Sequence, residues 1–173
     1  VTLHCDVFYI NVSAGDHDGI HIENAMISFY LSSSGRYISG GVTSDTAGFT
    51  ARIPGSAYDI RIIWQDIEIY HTTGHLITDN GDLALTCWVY QLRITALDTR
   101  NVAVADAYIT IGSGERILAS GVTDIEGSFM ARLPQSSLDI SVYWFDHPVA
   151  EVHDIWFDFD LSQSGLDIIC DIF

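Results

Sequence analysis

Along residues 58–64 the chain reads YDIRIIW, where Ile60, Ile62 and Trp64 alternate with Arg61, Ile63 and Gln65. Eighty positions later, Ile140, Val142 and Trp144 alternate with Ser141, Tyr143 and Phe145. A hydrophobic period of two marks a strand with one buried face, and no window carries the 3.6-residue period of an amphipathic helix. Gly, Ser, Asp and Asn separate the apolar runs. The pattern predicts an all-β chain of short strands joined by turns.

The alternation belongs to an internal repeat. GVTSDTAGFTARIPGSAYDIRIIWQD at 41–66 and GVTDIEGSFMARLPQSSLDISVYWFD at 121–146 agree at twelve of twenty-six positions, among them Phe49/Phe129, Arg52/Arg132, Pro54/Pro134, Asp59/Asp139 and Trp64/Trp144. Ala25 and Ala107 open the preceding strand of each copy. A tandem duplication of about eighty residues per copy predicts two small antiparallel β-sandwiches of roughly seven strands each.

A second similarity runs across the copies. LHCDVFYINV at 3–12 matches LTCWVYQLRI at 85–94, and IICDIF at 168–173 repeats the first half. In the two full versions the apolar parity flips after Val7 and Val89, so that Ile10 and Leu92 begin an even-numbered face. Such a flip moves the buried side to the other face of a strand. One segment can therefore close one sandwich and open the next. Assigning residues 83–90 and 166–173 as closing strands leaves residues 1–8 without a partner in their own chain. The expected organisation is an extension strand at 1–8, one sandwich at 9–90 and another at 91–173. An unpaired apolar strand invites addition to a neighbour's sheet, and a head-to-tail contact that does not close makes a filament. The assembly residues on this reading are Leu3, Cys5, Val7 and Phe8 on one side, and Ile168, Cys170, Ile172 and Phe173 on the other. The alternatives are a longer covalent array and an end strand that merely pairs within its own chain, and the start at Val1 fits a processed product or a segment of something longer.

NAMISFYL, GVTSDTAGFTARIP and SAYDIRIIW in the first copy are paralleled by DAYITIG, GVTDIEGSFMARLP and SSLDISVYW in the second. These stretches resemble the carboxypeptidase-regulatory-like and collagen-adhesin-B-like (transthyretin-like) sandwiches, in which a T-D-x-x-G-like turn leads into F-x-x-x-L-P. The resemblance implies a spacer, stalk or adhesion module rather than a catalyst. Collagen-adhesin-type members often carry a lysine-based isopeptide bond, which a chain without lysine cannot make.

Composition narrows the partners. Apolar residues make up 48% of the 173 residues and charged residues 17%, enough to bury a core. Seven Lys plus Arg (all of them Arg) stand against 23 Asp plus Glu, for a formal charge of −16. That excess disfavours nucleic acid and anionic membranes, and no apolar run is long enough to insert into a bilayer as a helix.

Several residues remain as candidate sites. Cys5, Cys87 and Cys170 occupy matched inward positions, without the spacing of a zinc or redox motif. Docking of residues 1–8 on a neighbour would bring Cys5 to Cys170 as an inter-subunit disulfide in an oxidising compartment. Asp16, Asp18 and Glu23 place carboxylates around a turn, a donor set suited to Ca²⁺, which would be the sole cofactor. Asn11-Val12-Ser13 is a glycosylation sequon. His71 and His75 would share a face only on a helix, which Gly74 opposes. No nucleophile elbow, phosphate loop or catalytic carboxylate pair is present. The function expected is a non-enzymatic structural subunit of an extracellular, cell-surface filament that polymerises with itself. The alternative is an adhesion or binding module of a larger surface repeat protein, stiffened by calcium.

Overall fold

The computed structural model describes residues 6–44 and 48–172. The chain is all-β and divides into two compact units, Val1–Trp88 and Val89–Phe173. The division falls two residues before the expected one.

Unit 1 holds β1 (Val7–Gly15), β2 (Met26–Leu31), β3 (Arg36–Val42), β4 (Phe49–Pro54), β5 (Ser56–Trp64), β6 (Ile67–Ile77) and β7 (Gly81–Thr86). They form a three-stranded sheet ordered β4-β1-β7 and a four-stranded sheet ordered β3-β2-β5-β6. Unit 2 repeats this with β8 (Val89–Asp98), β9 (Tyr108–Ser113), β10 (Arg116–Val122), β11 (Ser128–Pro134), β12 (Ser136–Trp144), β13 (His147–Phe157) and β14 (Leu166–Cys170), in sheets β11-β8-β14 and β10-β9-β12-β13. Each unit is a β-sandwich. Pairing is antiparallel except at the closing strands, where β7 runs parallel to β1 and β14 parallel to β8.

The alternation read from the sequence is the burial pattern of the strands. Ile10, Val12 and Ala14 of β1 face inward with Ile60 and Ile62 of β5, and Leu92, Ile94 and Ala96 of β8 match Ile140 and Val142 of β12. Each sheet thus has one dry face and one wet face, the arrangement that a period of two encodes. The unit boundary falls just before the parity flip. Leu85 and Cys87 close unit 1, Trp88 follows, and Val89 already begins β8 of unit 2.

One element lies outside the sequence reading, a six-residue helix α1 (Phe159–Ser164) between β13 and β14. The Asp158 carboxylate caps it by accepting from the Leu161 N–H, and Gly165 ends it at a φ of 72°. None of its residues is buried, so it shows no hydrophobic period.

Candidate functional site

The expectation that residues 1–8 lack a partner in their own chain is corrected at its C-terminal end. Val7 and Phe8 are the first residues of β1 and pair with Pro54 and Ile53 of β4. The Phe8 ring lies over Gly55, where an added Cβ would come within 2.8 Å of it, and the Gly55 N–H donates to the Asp6 carbonyl at 3.1 Å. Leu3, Cys5 and Phe173 fall outside the described residues. On the other side of the expected contact, Ile168 and Cys170 are buried within unit 2 in β14, and Ile172 is half-buried.

Cys87 and Cys170 are both buried thiols outside any disulfide among the described residues. Their Sγ atoms point at the Leu85 and Ile168 carbonyls at 3.8 and 3.9 Å. Burial pushes the Cys170 thiol up, and the neighbouring Asp171 carboxylate pushes it further. A buried thiol with a raised pKa is a slow partner in disulfide exchange.

The Asp16 turn is explained by its own backbone. Asp16 is buried, and its Oδ1 accepts from the N–H groups of Asp18 and Ile20 at 3.0 and 2.7 Å. Asp98 does the same in unit 2, accepting from the N–H groups of Arg100 and Val102 at 2.8 and 2.9 Å, with the Arg100 guanidinium added at 3.0 Å. The matched pair identifies a carboxylate that closes a loop. Asp18 and Glu23 are exposed, and no cluster of three or more His, Cys, Asp or Glu placed to hold a metal occurs among the described residues. Asn11 is exposed in the middle of β1. His75 pairs with Tyr58 and His71 with Arg61 across β5 and β6, and the Nδ1 of His71 lies 3.8 Å from Glu68.

Other duplicated polar residues are also structural. The buried Thr43 hydroxyl donates to the Ile22 carbonyl and accepts from the Ala25 N–H, while Thr123 does so with Val104 and Ala107. Asp59 accepts from the Ser32 hydroxyl and the Gly74 N–H, and Asp139 from the Asp154 N–H. In the TDIEG turn, the Asp124 carboxylate accepts from the N–H groups of Glu126 and Ser128, and Gly127 takes a φ of 71°.

Sequence reasoning missed a groove of about 470 Å³ on unit 2, lined by Asp106, Tyr108, Tyr143, Phe145 and Asp146. The available signal was that four of these five differ from their counterparts in the first copy, Asn24, Met26, Ile63, Gln65 and Asp66.

No protein-family model matches the chain, and no curated protein matches it in sequence. Among solved structures, the shaft pilin spaA from Lactobacillus rhamnosus GG is similar at 9% identity with a TM-score of 0.42, covering 98% of each chain. The tip fimbrial protein Mfa3 from Porphyromonas gingivalis is similar at 8% identity and a TM-score of 0.44, over 85% of this chain and 81% of that one. The Bacillus anthracis TIE protein is similar at 12% identity and a TM-score of 0.40, over 96% of this chain, which spans 34% of that one. No helix among the described residues is long and apolar enough to cross a membrane.

Proposed function

We propose that the chain is a non-enzymatic structural subunit of a cell-surface filament, joined head to tail by strand addition. The observation that carries this reading is the position of β14. It closes unit 2 as the edge of its three-stranded sheet, pairs with β8 on one side, and leaves its other backbone edge without a strand among the described residues. The sequence of a closing strand recurs immediately before β1, in residues 1–5. Laid along β14 of a neighbour, that segment would satisfy the open edge, and its alternate apolar residues would set the register. Because β1 begins at Val7, the donor in this proposal is confined to residues 1–6.

Removing residues 1–6 leaves β1 whole, so both units should fold while assembly is lost. Light scattering behind size exclusion and electron microscopy of intact and shortened protein decide the matter. Intact protein that stays near 19.1 kDa at every concentration, or shortened protein that still assembles, overturns the proposal.

The junction supports a second reading, a module of a larger repeat protein at the cell surface. The Trp88 N–H donates to the Ile69 carbonyl at 2.7 Å as the chain leaves unit 1, and the Asp171 N–H donates to the Val149 carbonyl at 2.8 Å after β14. The same exit from both units suits a covalent array in which two residues separate closing strand from opening strand, as Cys87 and Trp88 separate β7 from β8. A strictly monomeric chain favours this reading over the first.

A further inference from the structure

The groove on unit 2 lies on the outer face of its four-stranded sheet. Tyr108 of β9 and Tyr143 of β12 are direct cross-strand partners. Their sequence neighbours Ile109 and Val142 are fully buried, so the two tyrosines face away from the core. Phe145 stands in the two-residue turn between β12 and β13 with a φ of 47° and is 76% exposed. Left-handed backbone is unfavourable for a bulky side chain, and this hairpin turn ordinarily selects Asn, Asp or Gly. The Phe145 ring centroid is 4.6 Å from that of Trp144, whose Nε1–H donates to the Ala105 carbonyl at 3.2 Å. Asp106 and Asp146 sit at the groove with no ion pair to either among the described residues.

The duplication supplies an internal comparison. Unit 1 builds the same backbone, with φ of 57°, 50° and 57° at Asn24, Gln65 and Asp66 against 57°, 47° and 63° at Asp106, Phe145 and Asp146. It does so without a single aromatic residue at the five positions. The fold therefore does not require the rings, and a strained, exposed phenylalanine adds nothing to the core.

Three aromatic rings line the groove, and two carboxylates without an internal cation border them. A flat, weakly hydrated cation satisfies both features, because guanidinium stacks on aromatic faces and pairs with carboxylates through its planar donors. Unit 1 makes this contact within itself. Arg61 of β5 holds its guanidinium carbon 5.6 Å from the centroid of the Tyr30 ring. The corresponding residues of unit 2 are Ser141 and Gly112, so this pair is absent from its outer face.

We propose that the groove of Asp106, Tyr108, Tyr143, Phe145 and Asp146 binds an arginine side chain presented by another polypeptide. Its test uses the full chain labelled with ¹⁵N and titrated with N-acetyl-arginine methylamide. The amides of residues 106–108 and 143–147 and the Trp144 indole N–H are the reporters. Saturable shifts are expected with a Kd on the order of 1 mM, as a single side chain allows, weakening with added salt. The citrulline analogue, equal in shape but uncharged, should leave the reporters in place. Tyr108→Met with Phe145→Gln installs residues that the same backbone already carries in unit 1, and should weaken binding roughly tenfold while the remaining spectrum is unchanged. Phe145→Gln alone, at an exposed turn, guards against misfolding and should weaken binding in part. Equal shifts with citrulline, unchanged affinity in both variants, or no saturable shift with arginine would each overturn the proposal.

Discussion

Replacing Thr123 with Val tests whether the repeated buried threonine is a structural staple. Thr123 is 2% exposed, and its hydroxyl donates to the Val104 carbonyl at 2.8 Å and accepts from the Ala107 N–H at 2.9 Å. Val preserves the branched shape and removes both bonds, leaving a buried donor and a buried acceptor without partners. Each orphaned group costs about 1–3 kcal/mol, partly offset by the more apolar methyl, so the net loss is about 2–4 kcal/mol. In a unit of this size, 1 kcal/mol moves the melting point by about 4–8 °C, which puts the expected drop at roughly 10–30 °C. Melting followed by NMR, with the Trp64 and Trp144 indoles reporting the two units separately, should show unit 2 melting early. Thr43→Val should instead lower unit 1, where the bonds are 2.6 and 2.9 Å. Thr123→Ser keeps the hydroxyl and should lose only about 1 kcal/mol for the methyl. If the Thr123→Val and Thr123→Ser variants melt together, the hydrogen bonds are not what the threonine supplies.

Asp98 is held below the usual carboxylate range chiefly by the Val102 N–H, with the Arg100 N–H and guanidinium adding to it. Its folded pKa is therefore lower than its unfolded value of about 3.9, so its contribution is complete above that pH and disappears as the pH falls through the folded value. Asp98→Asn should accordingly lower the stability of unit 2 at neutral pH and flatten its loss below about pH 4, read by denaturant melts across pH. Gly127→Ala should destabilise unit 2 by about 1–3 kcal/mol, because the added Cβ would lie 2.6 Å from the Ala96 carbonyl oxygen at a φ of 71°; a melting point within roughly 2 °C of the parent would contradict this. Native Cys87 and Cys170 should resist a thiol reagent and react fully in denaturant, whereas rapid native labelling of Cys170 would show β14 opening.

Strand content and core were legible because each sheet buries one face, which writes itself into the sequence as alternation; Ile60, Ile62, Ile140 and Val142 are all fully buried. The junction was legible because the buried positions change parity close to it, from Leu85, Cys87 and Val89 to Leu92, Ile94 and Ala96. The home of Val7 and Phe8 was not. Their partners Pro54 and Ile53 lie more than forty residues away, and both residues precede the flip in the apolar face. Helix α1 leaves no trace in hydrophobic period because it buries nothing, and only Asp158 and Gly165 mark its ends. The calcium reading of Asp16 rests on oxygen density alone, since a carboxylate that organises a turn and one that holds a cation look alike in sequence. The clue that favours the turn is its counterpart Asp98, whose Oδ1 likewise accepts from two loop N–H groups.

That clue generalises into a way of separating fold from function in this chain. Two copies of one backbone have drifted apart, and both sandwiches still close. A residue kept in both copies with the same partners, as Thr43 and Thr123 are, is accounted for by the fold it serves. A residue that differs at a matched backbone position, as Phe145 differs from Gln65, is released from that duty and free to meet something else. Exchanging such residues between units is therefore a cleaner perturbation than truncation to alanine. Each replacement has already been accommodated by the same turn or strand, so a lost contact can be read without a lost fold. The Tyr108, Tyr143 and Phe145 groove satisfies this criterion, whereas Asp16, Thr43 and Asp59 do not, and a surface role for the chain is to be sought among residues of the first kind.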